Sequence, residues 1–277
     1  MDAFKLGLVQ LCSKEDVDQN LKLAEQGVRQ AAEQGASLVV LPENFAFIGP
    51  EKTKVALGET LGEGPISTSM AALARELGIY LGLGGMPERS ADPQRVYNTF
   101  ALYGPDGRLA AAYRKIHLFD IHVQEAIGGL LESNTVAPGS EPVVADTPLG
   151  RLGLTICYDL RFPELYRTLA LAGAELLLVP AAFTLYTGKD HWHLLLRARA
   201  VENVSYVAAA AQFGRHSEKR ISYGRSMLVD PWGQVLAEAP DGEMEVLIAT
   251  VDRTRLRRMR QQMPTLDHVR LMPGAQP

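Results

Sequence analysis

The chain alternates between two hydrophobic rhythms. Short apolar runs at residues 5–11, 37–41, 79–84, 175–179, 206–212 and 246–251 each read as a strand. Between several of them the period lengthens to that of a helix. Over 18–34, Leu21, Ala24, Val28 and Ala31 share one arc of a helical wheel. Lys22, Glu25, Gln26, Arg29, Gln30 and Glu33 cover the opposite arc, and Gly35 ends the run. Further helices are predicted over 67–77, 163–173, 192–203 and 254–262. The second of these has Pro163 at its start and Gly173 past its end. The runs at 96–103 and 108–113 flank Gly104-Pro105-Asp106-Gly107, a turn composition, and predict a hairpin. Residues 142–145 with 152–156, and 226–229 with 235–238, read as two more.

Strands joined through helices therefore coexist with hairpins. That mixture predicts mixed sheets with helices on their outer faces, and so many strands fit two packed sheets better than one. The expected fold is α/β, a four-layer α-β-β-α sandwich. No repeat or long linker divides the chain, so 1–277 reads as one domain, with 254–277 as a C-terminal helix and tail. At 277 residues and 47% hydrophobic, the chain can fill a substantial core. A net charge of −4 without a clustered basic surface argues against nucleic-acid binding. With two cysteines, Cys12 and Cys157, neither a disulfide framework nor a thiolate zinc cage is available. The opening MDAFKLGLVQLC lacks the cationic run of a signal peptide, and no apolar run reaches the roughly 18 residues of a membrane span. A cytoplasmic location without a membrane partner is expected. The arginines of the last helix, at 253, 255, 257, 258 and 260, read as a surface or subunit contact in a homodimer or higher homo-oligomer.

Familiar chemical signatures are missing: no GxGxxG after a strand, no phosphate loop, no HExxH, no GxSxG. His191 and His193 are two apart on a predicted helix, so their side chains diverge and a metal is not expected there. No cofactor is expected either. Three reactive side chains instead stand where strands end. Glu43 follows a buried run in VVLPENF, where ligands of open α/β sheets gather. Cys157 lies in GLTICYDLRFPE, between an apolar run and a proline-initiated helix. Lys115 lies in YRKIHLFD, just past a hairpin strand. Taken singly, each has a plainer reading: a solvated loop acid, a small buried hydrophobe, a surface lysine. Cys12 also ends a strand, but Ser13-Lys14-Glu15-Asp16, which reads as an exposed acidic stretch, follows it, and there the plain reading is expected. Together, a thiol, a carboxylate base and an ammonium make a nucleophilic site.

Glu43 in LPENF, Lys115 in YRKIHLFD and Cys157 in ICYDLRFPE match in order the three motifs of the nitrilase (carbon–nitrogen hydrolase) superfamily, which the chain resembles from Leu6 to about Arg270. LFD at 118–120, ESN at 132–134, TGKDHW at 187–192, LLRARAVEN at 195–203 and YGRSMLVDPWG at 223–233 resemble the branch of deaminated glutathione amidases and ω-amidases. The stretch 209–224, with GRH, a basic pair and Tyr-Gly, resembles the former. His122-Val123-Gln124-Glu125 is less typical of the loop after LFD.

The resemblance implies hydrolysis of a linear, non-peptide amide through a cysteine thioester. Glu43 takes the Cys157 proton, passes it to the departing nitrogen and then activates water. Acting as base and then acid calls for a pKa near working pH, which burial beside another carboxylate can give. Glu132 matches the family's second glutamate and holds Lys115 or the substrate nitrogen. Lys115 and the Tyr158 backbone N–H stabilise the oxyanion, and Lys115 favours a Cys157 thiolate. Arg161, Phe183 and Thr187 match the positions where the branch binds a 2-oxo acid. Arg215, His216, Lys219 and Arg220 are the basic group available for a distal carboxylate. An ω-amidase, a carbamoyl amidase, a nitrilase proper and a catalytically silent interaction module remain alternatives.

Overall fold

A computed structural model describes residues 2–121 and 130–271. The first half carries β1 (Ala3–Gln10), α1 (Val17–Glu33), β2 (Ala36–Val40), α2 (Glu51–Ala56), α3 (Pro65–Leu77), β3 (Tyr80–Arg89), β4 (Val96–Tyr103) and β5 (Leu109–Arg114). Short pieces follow: β6 (Asp120–Ile121), β7 (Leu130–Leu131), a 3-10 turn at Glu132–Asn134 and β8 (Val136–Ala137). Then come β9 (Val143–Thr147), β10 (Gly150–Leu154), a 3-10 turn at Cys157–Arg161, α4 (Pro163–Leu171), β11 (Leu176–Leu178) and α5 (Leu185–Asn203). The chain closes with β12 (Tyr206–Ala209), β13 (Phe213–Arg215), β14 (Ile221–Tyr223), β15 (Met227–Val229), β16 (Val235–Glu238), β17 (Glu245–Asp252) and α6 (Arg253–Gln262).

Strand alternation decides which side chains meet. In β1 and β2, Leu6, Leu8, Leu38 and Val40 join the core shared with the second sheet, together with Leu152, Leu154, Leu178 and Val207. Val9 and Val39 face the other way, onto Val28 and Ala31 of α1 and Met70 and Leu73 of α3. α1 can pack this closely because Gly27 lies against Val9, where a Cβ would come within 2.6 Å. One sheet has the order β17-β1-β2-β3-β4-β5, with β8 also on β4; the other runs β16-β15-β12-β11-β10-β9. α1 and α3 cover the first sheet, and α4 and α5 cover the second. The four-layer α-β-β-α sandwich is therefore the observed fold, and all three hairpins form with antiparallel register.

Several boundaries differ from the sequence reading. α5 begins at Leu185, seven residues before the predicted start, because the Thr184 hydroxyl caps Thr187 N. Gly188 weakens the local helix signal, yet it is needed where the chain meets the Tyr223 side chain, whose Cβ lies 2.4 Å from a would-be Cβ. The strand predicted to Gln212 stops at Ala209, beyond which isolated bridges join Ala211 to Ala181 and Gln212 to Leu11. α2 and the β13–β14 hairpin were not predicted. The basic last helix is tied to its own chain. Arg253 pairs with Glu175, Arg255 with Asp230 and Arg257 with Asp2. Arg260 donates to the carbonyls of Ala174 and Val204. Part of the predicted tail, 272–277, and the loop His122-Val123-Gln124-Glu125 lie outside the described residues. Among the described residues no helix is long and apolar enough to cross a membrane.

Candidate active site

The site is built at the ends of β2, β5 and β10. After β2 the chain passes Pro42 and reaches Glu43, which is buried. The neighbouring β3 makes room with an irregularity between Leu83 and Met86. A Cβ on Gly84 would sit 1.9 Å from Leu41 O, and Gly85 lies against both Glu43 and Asn98. Two glycines thus let the segment after β2 press against β3 beside this carboxylate. Glu43 Oε2 accepts from Ala182 N at 3.0 Å, and Oε1 accepts from Asn98 Nδ2 at 2.9 Å and Lys115 Nζ at 3.0 Å.

Lys115 directly follows β5, with its N–H on Asn98 O. Its ammonium also donates to Glu132, at 3.1 Å to Oε1 and 2.8 Å to Oε2. Glu132 opens its 3-10 turn and accepts in addition from Phe119 N at 2.7 Å and Asn98 Nδ2 at 3.3 Å. One buried ammonium thus bridges two buried carboxylates, and one amide holds both from the side. Burial opposes charge on Glu43, yet Lys115, the Cys157 thiol and Lys54 together outweigh it and bring its pKa down to about 2. Burial likewise disfavours the Lys115 ammonium, but Glu132 and Glu43 hold its pKa well above the ordinary lysine value. The expectation of a Glu43 pKa near working pH is corrected: the ammonium between the two carboxylates keeps Glu43 ionised.

Cys157 caps the inner end of β10 with φ +48°, a left-handed conformation that a non-glycine residue adopts at a cost. The turn is held from both ends. Cys157 N donates to Pro180 O at 2.9 Å, and Ile156 N donates to Asp159 Oδ2 at 2.8 Å. Asp159 is fully buried and also accepts from Tyr113 OH, His117 N and His117 Nδ1. His117 in turn stacks on Phe162, ring centroids 3.7 Å apart. The Cys157 thiol lies beside Glu43 on the same cavity, within reach of its charge. Burial first, and the Glu43 charge second, raise its pKa well above the ordinary thiol value, with Lys115 opposing only in part. Lys115 favours the thiolate as expected, but burial and Glu43 outweigh it, so the resting pair is a neutral thiol beside an ionised carboxylate. Tyr158 N is the second amide of the 3-10 turn, among the donors a helix start leaves without an intrahelical acceptor.

One cavity is lined by Glu43, Lys115, Glu132, Cys157 and Tyr158, and also by Arg161, Phe183, Thr187 and Arg220. Arg161 lies over the Phe183 ring at 5.0 Å and against His191 Nδ1 at 3.2 Å. Arg215 and Lys219 are exposed and do not line it. His216 does not line it either, which corrects its expected role: it is buried, with Nδ1 on Ser13 O and Nε2 on Ser222 Oγ, both 2.8 Å. His193 pairs with Glu238 away from the cavity. The sequence reading missed Asn98, Asp159 and the cavity-lining Lys54 and Glu51. Asn98 and Asp159 had a weak signal, as polar residues among apolar neighbours; Lys54, in EKTKV, looked like any surface lysine. Among the described residues no group of three or more His, Cys, Asp or Glu could hold a metal.

A thiol, a base and a paired ammonium in one cavity are equipped for nucleophilic acyl chemistry. The comparisons with known proteins agree. A carbon-nitrogen hydrolase family model matches residues 5–261. The deaminated glutathione amidase of Homo sapiens is 46% identical over 276 residues, covering 96% of this chain and 83% of that protein. That of Synechocystis sp. is 44% identical, covering 97% and 98%. The crystal structure of Saccharomyces cerevisiae Nit3, a member of branch 10 of the nitrilase superfamily, superposes with a TM-score of 0.84 at 36% identity, covering 95% of each chain. With nearly the whole length matched in sequence and in fold, the chain belongs to the carbon-nitrogen hydrolase family, within the nitrilase superfamily, and is a hydrolase of carbon–nitrogen bonds.

Proposed function

We propose that the protein is a deaminated glutathione amidase, releasing 2-oxoglutarate and cysteinylglycine through a thioester on Cys157. The observation that carries the chemistry is the buried Glu43–Lys115–Glu132 network on the same cavity as the thiol. In the first step Glu43 removes the Cys157 proton as sulfur attacks the amide carbon. Lys115 Nζ and the Tyr158 N–H hold the oxyanion. As the tetrahedral intermediate collapses, Glu43 returns the proton to the departing amine. Water then gives a proton to Glu43 and attacks the thioester, and the sulfur leaves and is reprotonated. Glu132 keeps Lys115 in place throughout. A base held ionised at rest accepts the first proton readily, and its pKa rises once the negative charge has moved to the oxyanion beside Lys115.

The relatives' names support the choice of substrate, as does the cavity wall made by Arg161, Phe183 and Thr187, whose cation and hydroxyl suit the 2-oxo acid end. Arg220 is the member of the basic loop within reach of the cavity. The test compares kcat/KM for deaminated glutathione and 2-oxoglutaramate, which shares the acyl half but lacks the cysteinylglycine arm. The arm should add tenfold to a hundredfold. Equal values would instead mark an ω-amidase.

A further inference from the structure

Lys54 is a buried cation that forms no ion pair among the described residues. It lies on α2, is 7% exposed and lines the cavity, close enough to Glu43 to lower its pKa. Each described carboxylate lining the cavity is engaged elsewhere. Glu43 is held by Ala182 N, Asn98 and Lys115, and Glu132 by Lys115, Asn98 and Phe119 N. Glu51, one turn before Lys54 on α2, accepts from Thr135 Oγ1 at 3.0 Å and faces Arg220 at 4.0 Å. Among the described residues Lys54 makes no hydrogen bond or ion pair. Burying an unpaired ammonium is unfavourable, and an anion entering the cavity relieves it.

Two cations from different walls of one cavity call for two anionic groups. Arg161 belongs to the turn after β10, in the second sheet, and stacks on Phe183. Lys54 follows β2, in the first sheet, on the same wall as Glu43. In the amidase reading Glu43 hands a proton to the departing nitrogen, so the wall behind it faces the amine half of the substrate. We propose that Lys54 is a specificity-determining residue that binds a free carboxylate on the amine half of an amide substrate, while Arg161 serves the acyl half. The proposal rests on the deaminated glutathione reading, whose leaving group ends in the glycine carboxylate.

The experiment compares kcat/KM for deaminated glutathione and for the same molecule with its glycine carboxylate capped as a carboxamide. The wild type should prefer the free acid at least tenfold. Lys54→Met should bring that ratio to within about threefold of unity, whatever loss both substrates share through Glu43, and Lys54→Arg should keep the preference. A wild-type ratio near one overturns the proposal without any variant, and so does a ratio that Lys54→Met leaves unchanged. Hydrolysis of neither compound by the wild type would overturn the deaminated glutathione reading, and the role of Lys54 with it.

Discussion

Each of the two cysteines ends a strand, and their surroundings invert the usual expectation. Cys12, beyond β1, has an imidazole beside it: its Sγ lies 3.9 Å from His216 Nδ1. Among the described residues Cys157 has no imidazole partner but a carboxylate and an ammonium. Proximity to histidine would select the wrong cysteine. Both His216 nitrogens are occupied by Ser13 and Ser222, and burial brings its pKa down to about 4. Such a ring cannot accept a thiol proton while it holds the β13–β14 hairpin to the Ser13 backbone. Cys157 sits in a strained left-handed turn against a base whose own partners are fixed. A reactive thiol is thus defined by what its neighbours have free to give, and nearness alone does not settle it.

The sharpest break in the comparison comes from removing each sulfur. Cys157→Ala is expected to lower kcat/KM on deaminated glutathione at least a thousandfold, about 4 kcal/mol in the barrier, with the folded spectrum intact. Next, Glu43→Gln and Lys115→Met should each cost about a hundredfold or more, since in the proposed mechanism one removes the proton carrier and the other an oxyanion donor. Retention of more than a tenth of the activity by either would contradict its role. Lys115→Met should also lower the melting temperature, because it strands two buried carboxylates.

The His216 side of the comparison is a matter of stability. Its pKa is lowered from 6.5 to about 4 in the folded state, so between those values the unfolded chain binds more protons. Stability from this group is full above pH 6.5 and is lost as pH falls toward 4, by at most about 3 kcal/mol. Denaturant titrations should show that slope, and His216→Gln should flatten it. The smallest effect belongs to Cys12→Ala, with kcat/KM within twofold of wild type; a tenfold loss would mean that the cavity depends on the β1 end of the molecule.

The legible parts of the molecule were those written in local pattern. Glu43 and Cys157 could be singled out because apolar runs ending in a polar reactive residue are uncommon, and Lys115 because a hairpin delivers it. The two sheets followed from counting strands of two kinds. Lys54 was hidden because α2 has six residues and no side-chain cap, and because burial of a lysine depends on loops far away in sequence. Asn98 acts across β3 and β4, and Asp159 gathers Tyr113 and His117 from another strand's end, so neither role shows in its own segment. The basic stretch 215–220 misled for the opposite reason. Composition placed four candidates together, whereas a turn exposes Arg215 and Lys219, buries His216 and leaves Arg220 on the cavity.

The central claim is a covalent bond to one of two thiols. Wild-type protein mixed with deaminated glutathione and quenched in acid within the first turnover should carry the added mass of a 2-oxoglutaryl group. Peptide mapping should place that group on Cys157, and the adduct should decay as 2-oxoglutarate appears. Turnover with no covalent mass on the protein, or with the group on Cys12, would contradict the account.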